Sequence, residues 1–300
     1  MNDKIRKKKP RFSNVFFRRL LFFLIVFFIC ILVFGAIASV AIILRNNKMG
    51  EAISINDETP PEAVNVLLIG TNKEPKESAF LLIKLDFLKT EVPVTALPTE
   101  SIVELDGRED TLGGHFAYGG NVLAVKAAEE FSGVKIDKFA KASLGNFESI
   151  IDKLGGVVYD IPGNLIHRDN EGKVIVSIET GKQRLTGQKT GELLRYPKWP
   201  EGRREQTKIQ ERVFESLINQ YFTAETLKIG DILFKFCVNF ADTDISYADY
   251  SRYLPWLNKV AESEKPAKAF SAGGEFSEQN GKIIYSLSDS KKSVLIEKYR

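Results

Sequence analysis

The sequence predicts an α/β fold, an α/β/α sandwich with a mixed central sheet, set behind one N-terminal transmembrane helix. Three observations lead there. Residues 20–44 (LLFFLIVFFICILVFGAIASVAIIL) are apolar or small throughout. Residues 64–69, 79–85 and 92–97 are continuous apolar runs of strand length. From residue 121 onward, helix-spaced apolar patterns alternate with strand-like ones.

The first 19 residues carry eight Lys/Arg against one acid, Asp3. This tail is therefore +7 in a chain whose total is +3, which leaves about −4 for everything else. A nucleic-acid-binding domain needs a basic face on its folded part, so no nucleic-acid partner is expected. The tail is also too short to fold as a DNA-binding module, and it reads as a topology signal that contacts anionic lipid. The 25 apolar residues of 20–44, at ~1.5 Å each in a helix, reach past a hydrocarbon core of ~30 Å. A cleaved signal peptide is the rival reading, but its apolar region is normally ~7–15 residues long. With eight basic residues before the span, and Arg45 and Lys48 close after it, the N-terminus is expected in the cytoplasm and the C-terminal domain outside the cell. Residues 45–63 are polar and hold Pro60-Pro61, as a linker does. The extracellular domain then runs from 64 to 300. Cys30 lies in the span and Cys237 in the domain, so no disulfide joins them.

Within the domain, the three apolar runs predict buried strands, with a hairpin over 79–97. Residues 121–131 and 144–154 have helical spacing, and Gly155-Gly156 closes the second helix before a strand at 157–161. Thr186 is placed to N-cap a helix ending at Leu194. Further helices are expected at 203–221, 227–240 and 247–260, then strands at 267–271 and 282–287 and a last short helix.

The landmarks NVLLIGTN (65–72), ALP (96–98), FAYGGN (116–121), DKLGGVVYDIP (152–162), GKQRLTGQKTGELLRY (181–196), GRREQ (202–206) and TDIS (243–246) follow one another in this order. Behind a single N-terminal span, they resemble the LytR-CpsA-Psr family of cell-envelope proteins. The resemblance implies a transferase that moves a glycopolymer from a polyprenyl-pyrophosphate carrier to peptidoglycan. In that family the lipid lies in an apolar pocket, arginines hold the pyrophosphate and carboxylates position Mg²⁺. Guanidinium forks and a hard cation neutralise the charge that builds up as a bond to phosphorus breaks.

Carried over residue by residue, the implied site is depleted. The aspartate after the first strand falls on Asn72, and the aspartate opening the next strand falls on Ala79. The Pro-Arg-Asp turn becomes Pro98-Thr99-Glu100. Arg195 matches the first arginine of an Arg-x-Arg pair, whose second is Pro197. Arg203 and Gln206 match the later arginine-rich stretch, whose acid is represented by Glu201. Glu100, Arg195 and Arg203 are thus the candidate catalytic residues. Lys73, Lys76, Arg204 and Gln206 are the candidates for pyrophosphate binding. No metal ligand is assigned, and Mg²⁺ as a cofactor depends on substitutes such as Glu77, which also reads as an ordinary solvated loop charge. Phe214 and Leu217, three apart on one helix, are the candidate lipid-pocket residues, although aromatics at helical spacing more often belong to a core. His115 and His167 sit in no catalytic constellation. The expected function is that of a divergent member that binds polyprenyl-(pyro)phosphate or wall glycan, with weakened or lost transferase activity, assisting an active paralogue. The alternative is an active Mg²⁺-dependent phosphotransferase.

Overall fold

The structure, a computed structural model, describes residues 63–72 and 78–300. The expected tail and span, and the linker up to residue 62, lie outside the described residues. Among the described residues no helix is long and apolar enough to cross a membrane.

In chain order the elements begin with β1 (Val64–Thr71), β2 (Ala79–Leu85), β3 (Val92–Leu97), β4 (Ile102–Leu105) and β5 (Arg108–Thr111). They continue with α1 (Leu112–Ser132), β6 (Lys138–Ser143), α2 (Leu144–Leu154), β7 (Val157–Ile161), β8 (Leu165–Arg168), β9 (Val174–Ile178) and β10 (Gly181–Leu185). Next come α3 (Gly187–Leu194), α4 (Arg203–Tyr221), α5 (Ala224–Leu227), α6 (Gly230–Asn239), β11 (Asp242–Thr243) and α7 (Tyr247–Ala261). The chain closes with β12 (Ala267–Ala269), β13 (Glu275–Gln279), β14 (Lys282–Ser286) and α8 (Asp289–Tyr299). The main sheet has six strands in the order β11-β6-β1-β2-β3-β12. β2 is antiparallel to β1 and β3, β6 is parallel to β1, and β12 is parallel to β3. The sheet is therefore mixed, as the 79–97 hairpin requires.

Side chains alternate across a strand, so each apolar run fills two cores at once. Leu67, Ile69, Phe80, Leu82 and Leu97 face one core, together with α1 and the α8 residues Leu295 and Tyr299. Val64, Val66, Leu81, Ile83 and Val94 face the other, where Trp256 and Val260 of α7 and the half-buried Phe214 and Ile218 of α4 meet them. Helices thus cover both faces, which is why these strands read as unbroken hydrophobic runs rather than as alternating ones. A third cluster joins β7, β8, β9 and β10 to α3 and α4 through Tyr159, Ile161, Leu193, Trp199 and Val213.

The motif glycines have packing reasons. A Cβ on Gly156 would lie 2.5 Å from the carbonyl oxygen of Leu185 in the paired strand β10. One on Gly187 would lie 2.0 Å from the carbonyl oxygen of Glu148, where α3 starts against α2. Thr186 does cap α3, accepting from Lys189 N, and Gly187 N donates to Asp152 Oδ1 at 2.7 Å. Replacing Gly187 with Ala should therefore destabilise the protein by about 2 kcal/mol, because the overpacking outweighs alanine's better helix propensity of roughly 1 kcal/mol. Urea unfolding midpoints of the two forms check it.

Three segments differ from expectation. Helix α1 begins at Leu112 rather than 121, because Thr111 caps a first stretch that is then broken at Gly119-Gly120. The expected helix 227–240 is two helices, α5 and α6. Strands β4, β5, β8, β9, β10, β11 and β13 carry no buried run, and most of their residues are exposed or half-buried.

Candidate functional site

The carboxyl ends of β1, β3 and β6 lie at one end of the sheet, where β2 begins. Thr71 of β1 is level with Ser143 of β6, and Gly70 is level with Ala79 of β2. Asn72 and Thr99-Glu100 follow β1 and β3 directly, so the positions singled out by the resemblance converge on this end. Crevices at strand carboxyl ends are the usual binding places of α/β sheets.

The turn after β3 is firmly held. Ser101 N donates to Pro98 O at 2.9 Å, and Gly113 N of α1 donates to Thr99 O at 3.0 Å. Tyr285 N of β14 donates to Glu100 O at 2.8 Å. Helix α1 then leads away from the turn over the face that holds Phe80, on which Phe116 packs edge-to-face at 5.9 Å. It breaks where Gly120 takes φ 61°, a conformation that favours glycine. Past the break, Asn121 Nδ2 donates to Asp242 Oδ2 of β11 at 2.9 Å, and Lys141 of β6 holds the same carboxylate at 2.8 Å. FAYGGN therefore carries α1 from the end of β3 to the opposite edge of the sheet. TDIS locks that edge: Thr243 Oγ1 donates to Phe139 O, and Asp244 Oδ1 accepts from Phe139 N at 2.8 Å.

At the turn, Arg203 Nε donates to Glu100 Oε1 at 3.0 Å, with Arg203 half-exposed and the Glu100 carboxylate largely buried. A second Arg203 nitrogen donates to Gln206 Oε1 at 2.9 Å, and Gln206 Nε2 donates to Leu194 O at 3.0 Å. Arg195 follows Leu194, and its Nε folds back to donate to Gly191 O at 3.2 Å. Glu100, Arg203 and Gln206 thus form one linked chain of groups that ends on the Leu194 carbonyl, next to Arg195 in sequence. Arg204 is exposed beside them and lies close enough to act electrostatically on the Tyr285 hydroxyl. Lys73, Lys76 and Glu77 lie outside the described residues. Phe214 stacks on Phe147 of α2 at 5.6 Å and packs against the sheet, whereas Leu217 packs with the cluster of β7 and α3, so the two serve different cores. His115 is buried, with Nε2 3.0 Å from Val103 O, and His167 belongs to β8, where it pairs with Val176 of β9.

Among the described residues, oxygen ligands for a divalent cation are few at this end of the sheet. Mg²⁺ demands oxygen ligands, carboxylates above all. The described residues offer a neutral amide at Asn72, a methyl group at Ala79 and, at Glu100, a carboxylate already bonded to a guanidinium. Among the described residues no group of three or more His, Cys, Asp or Glu could hold a metal ion. These residues do not fit Mg²⁺.

Glu211 of α4 escaped the sequence reading. It is 3 % exposed, and its Oε1 accepts from Ala96 N at 3.2 Å, just before the turn. Burial pushes its carboxyl up to about 8, against the smaller opposing pull of the Ala96 hydrogen bond and of Arg212 and Lys208. A glutamate within a helix ordinarily signals a solvated face, so nothing in the sequence marks it.

The LytR_cpsA_psr family model matches residues 32–299. A Staphylococcus aureus protein is 24% identical over 156 residues, 48% of this chain and 37% of that one. This chain thus spans well under two thirds of that relative's length. The Bacillus licheniformis protein named polyisoprenyl-teichoic acid–peptidoglycan teichoic acid transferase TagU is 23% identical over 261 residues, 83% of this chain and 80% of that one. The crystal structure of Bacillus subtilis TagV superposes with a TM-score of 0.66 at 15% identity, over 80% of this chain and 97% of that one, a likeness of fold. With nearly the whole described domain inside the matched region, the chain belongs to the LytR_cpsA_psr family.

Proposed function

We propose that this chain is a membrane-anchored, cell-envelope protein that binds a polyprenyl-(pyro)phosphate-linked wall glycopolymer and has weakened or lost transferase activity. The observation that carries this reading is the contact between Glu100 and Arg203 at 3.0 Å, with neutral Asn72, Ala79 and Thr99 around the same sheet end. The acid that would serve a cation is spent on Arg203, while the exposed Arg195 and Arg204, with the outer face of Arg203, would meet a pyrophosphate through guanidinium hydrogen bonds. Phe147 and Phe214, half-buried side by side, offer apolar surface for the lipid. The anchor is the apolar stretch 20–44, with the domain on the extracellular side of the cell membrane and peptidoglycan within its reach. An active paralogue is the natural partner of a binder that does not turn over.

The test uses the full chain in detergent micelles, titrated with geranylgeranyl pyrophosphate in the presence of EDTA. Binding is expected without metal, and Arg203→Ala should weaken it about tenfold, the equivalent of one charged hydrogen bond at ~1.4 kcal/mol. A protein with no affinity for this probe overturns the reading. The linked arrangement of Glu100, Arg203 and Gln206 favours a second reading, an active phosphotransferase, which Mg²⁺- or Mn²⁺-dependent release of polyprenyl phosphate from a lipid-linked saccharide would establish.

A further inference from the structure

Strand β3 lies between β2 and β12, but β12 accompanies it only briefly. The pairs are Ala267 with Val92, Lys268 with Pro93 and Ala269 with Val94, followed by a bond from Phe270 N to Val94 O. Backbone groups of alternate residues point to the same side of a strand. Because Val92 N donates to Pro266 O and Val94 O accepts from Phe270 N, the next group on that side is Ala96 N–H. There the neighbouring strand has gone, and a buried amide without an acceptor is costly. Glu211 Oε1 accepts this bond at 3.2 Å, reaching from α4, eight residues beyond Arg203.

We propose that Glu211 is a positioning residue: its buried carboxyl fills the hydrogen-bonding place that β12 vacates beside β3 and so holds the Pro98-Thr99-Glu100 turn where Glu100 meets Arg203. The same helix thereby fixes the turn twice, from within through Glu211 and at the surface through Arg203. Burial favours the neutral form of the carboxyl, while the Ala96 hydrogen bond, Arg212 and Lys208 pull more weakly the other way. Arg212 and Lys208 act on it from its own helix, and Tyr299 from α8 and Tyr285 from β14 face it electrostatically, Tyr285 sensing Arg204 as well. Both tyrosine hydroxyls are pushed up by burial and stay neutral themselves. Between the ordinary glutamate range and about pH 8 the Glu211 carboxyl is protonated when enclosed and ionised when opened to water, so the turn it holds is coupled to pH. The sign follows from the raised value: the support is complete below the ordinary glutamate range, near 4.5, and is lost as pH rises towards about 8.

The proposal deepens the pyrophosphate reading of the site and rests on it only for its ligand arm. Amide hydrogen exchange at Ala96, Leu97, Thr99, Glu100 and Ser101 is followed in the full chain in detergent, between pH 5 and pH 9, for the parent, Glu211→Gln and Glu211→Ala. Glutamine keeps the acceptor and does not ionise. Relative to Glu211→Gln, the parent's protection at these amides should fall at least tenfold from pH 5 to pH 8 and then level off. Glu211→Ala should lose at least tenfold at pH 6, with Glu211→Gln restoring it. Parallel pH courses for parent and Glu211→Gln, or unchanged protection in Glu211→Ala, would overturn the assignment. Should Glu211→Ala not fold, the comparison of parent with Glu211→Gln decides alone. Titration with geranylgeranyl pyrophosphate separates the two ideas: the expected exchange pattern with no probe binding keeps the positioning role and removes the pyrophosphate reading.

Discussion

Restoring three side chains, by Asn72→Asp, Ala79→Asp and Thr99→Arg together, should raise transfer of a saccharide from a polyprenyl-pyrophosphate carrier at least 100-fold and make it dependent on Mg²⁺. The expectation follows from charge. A single preorganised group aimed at developing negative charge is worth about 3 kcal/mol of transition-state stabilisation, or roughly 100-fold in rate. The three replacements act as one unit, so their effects should not multiply, and one such factor is the conservative figure. The geometry permits the change. All three positions lie at the same sheet end, with Gly70 opposite Ala79 and the Thr99 turn pinned by α1. Thr99→Arg would also give Glu100 a second cation, so the metal dependence of the variant tests whether Glu100 is released towards a cation. Release of polyprenyl phosphate by parent and triple variant, with and without EDTA, is the measurement. A triple variant as inactive as its parent would mean that the loss lies elsewhere in the site.

Lys84→Met should cost about 3–5 kcal/mol of stability, the usual price of leaving one member of a buried ion pair alone. Lys84 is only 2 % exposed, its ammonium lies 2.9 Å from Asp86 Oδ2, and it donates to the Arg300 backbone oxygen at 2.6 Å. Methionine fills the volume but leaves the Asp86 carboxylate enclosed without its cation. Burial raises the Asp86 carboxyl, but the hydrogen bonds and charges of Lys84 and Lys89 outweigh it and leave it below its ordinary 3.8. A depressed carboxylate stabilises the fold above its unfolded value, and that contribution is lost as pH falls through the folded one. The gap between parent and variant should therefore be full at pH 7 and shrink at pH 3, as read from urea midpoints. Equal gaps at both pH values would assign the loss to packing instead.

Much of the scaffold was legible because burial and capping leave local marks. The apolar runs that became β1, β2 and β3 are each enclosed on two faces. Helix α2 was bounded by its closing glycines, and α3 by Thr186. What failed was structure held by distant partners. Leu112–Phe116 forms a helix because Thr111 caps it and Phe80 receives Phe116, but Gly119-Gly120 disguises its continuity with the stretch beyond. The break between α5 and α6 precedes Gly230, where any Cβ would lie 2.3 Å from the Tyr250 hydroxyl, a constraint set twenty residues away. At the site, the order of landmarks led to residues that the structure gathers at one end of the sheet. It did not announce that Arg203 would close onto Glu100, since the contact joins residues a hundred apart. Glu211 was invisible for the same reason: a helix glutamate becomes informative only once the missing neighbour of Ala96 is known.

The core beneath Phe80 and Leu82 is finished by residues made more than two hundred positions later. Tyr299 sets its hydroxyl 2.9 Å from Leu82 O and from Thr95 Oγ1, and its own carbonyl accepts from Asn65 Nδ2 at 3.1 Å. Loop-closure entropy must be met before such distant contacts reward the chain, which slows the search for the native state. A nascent polypeptide that has already emitted β1, β2 and β3 therefore carries greasy, unsealed strands until α8 arrives. Premature termination before residue 289 would leave that core open, without Leu295 and Tyr299 to close it.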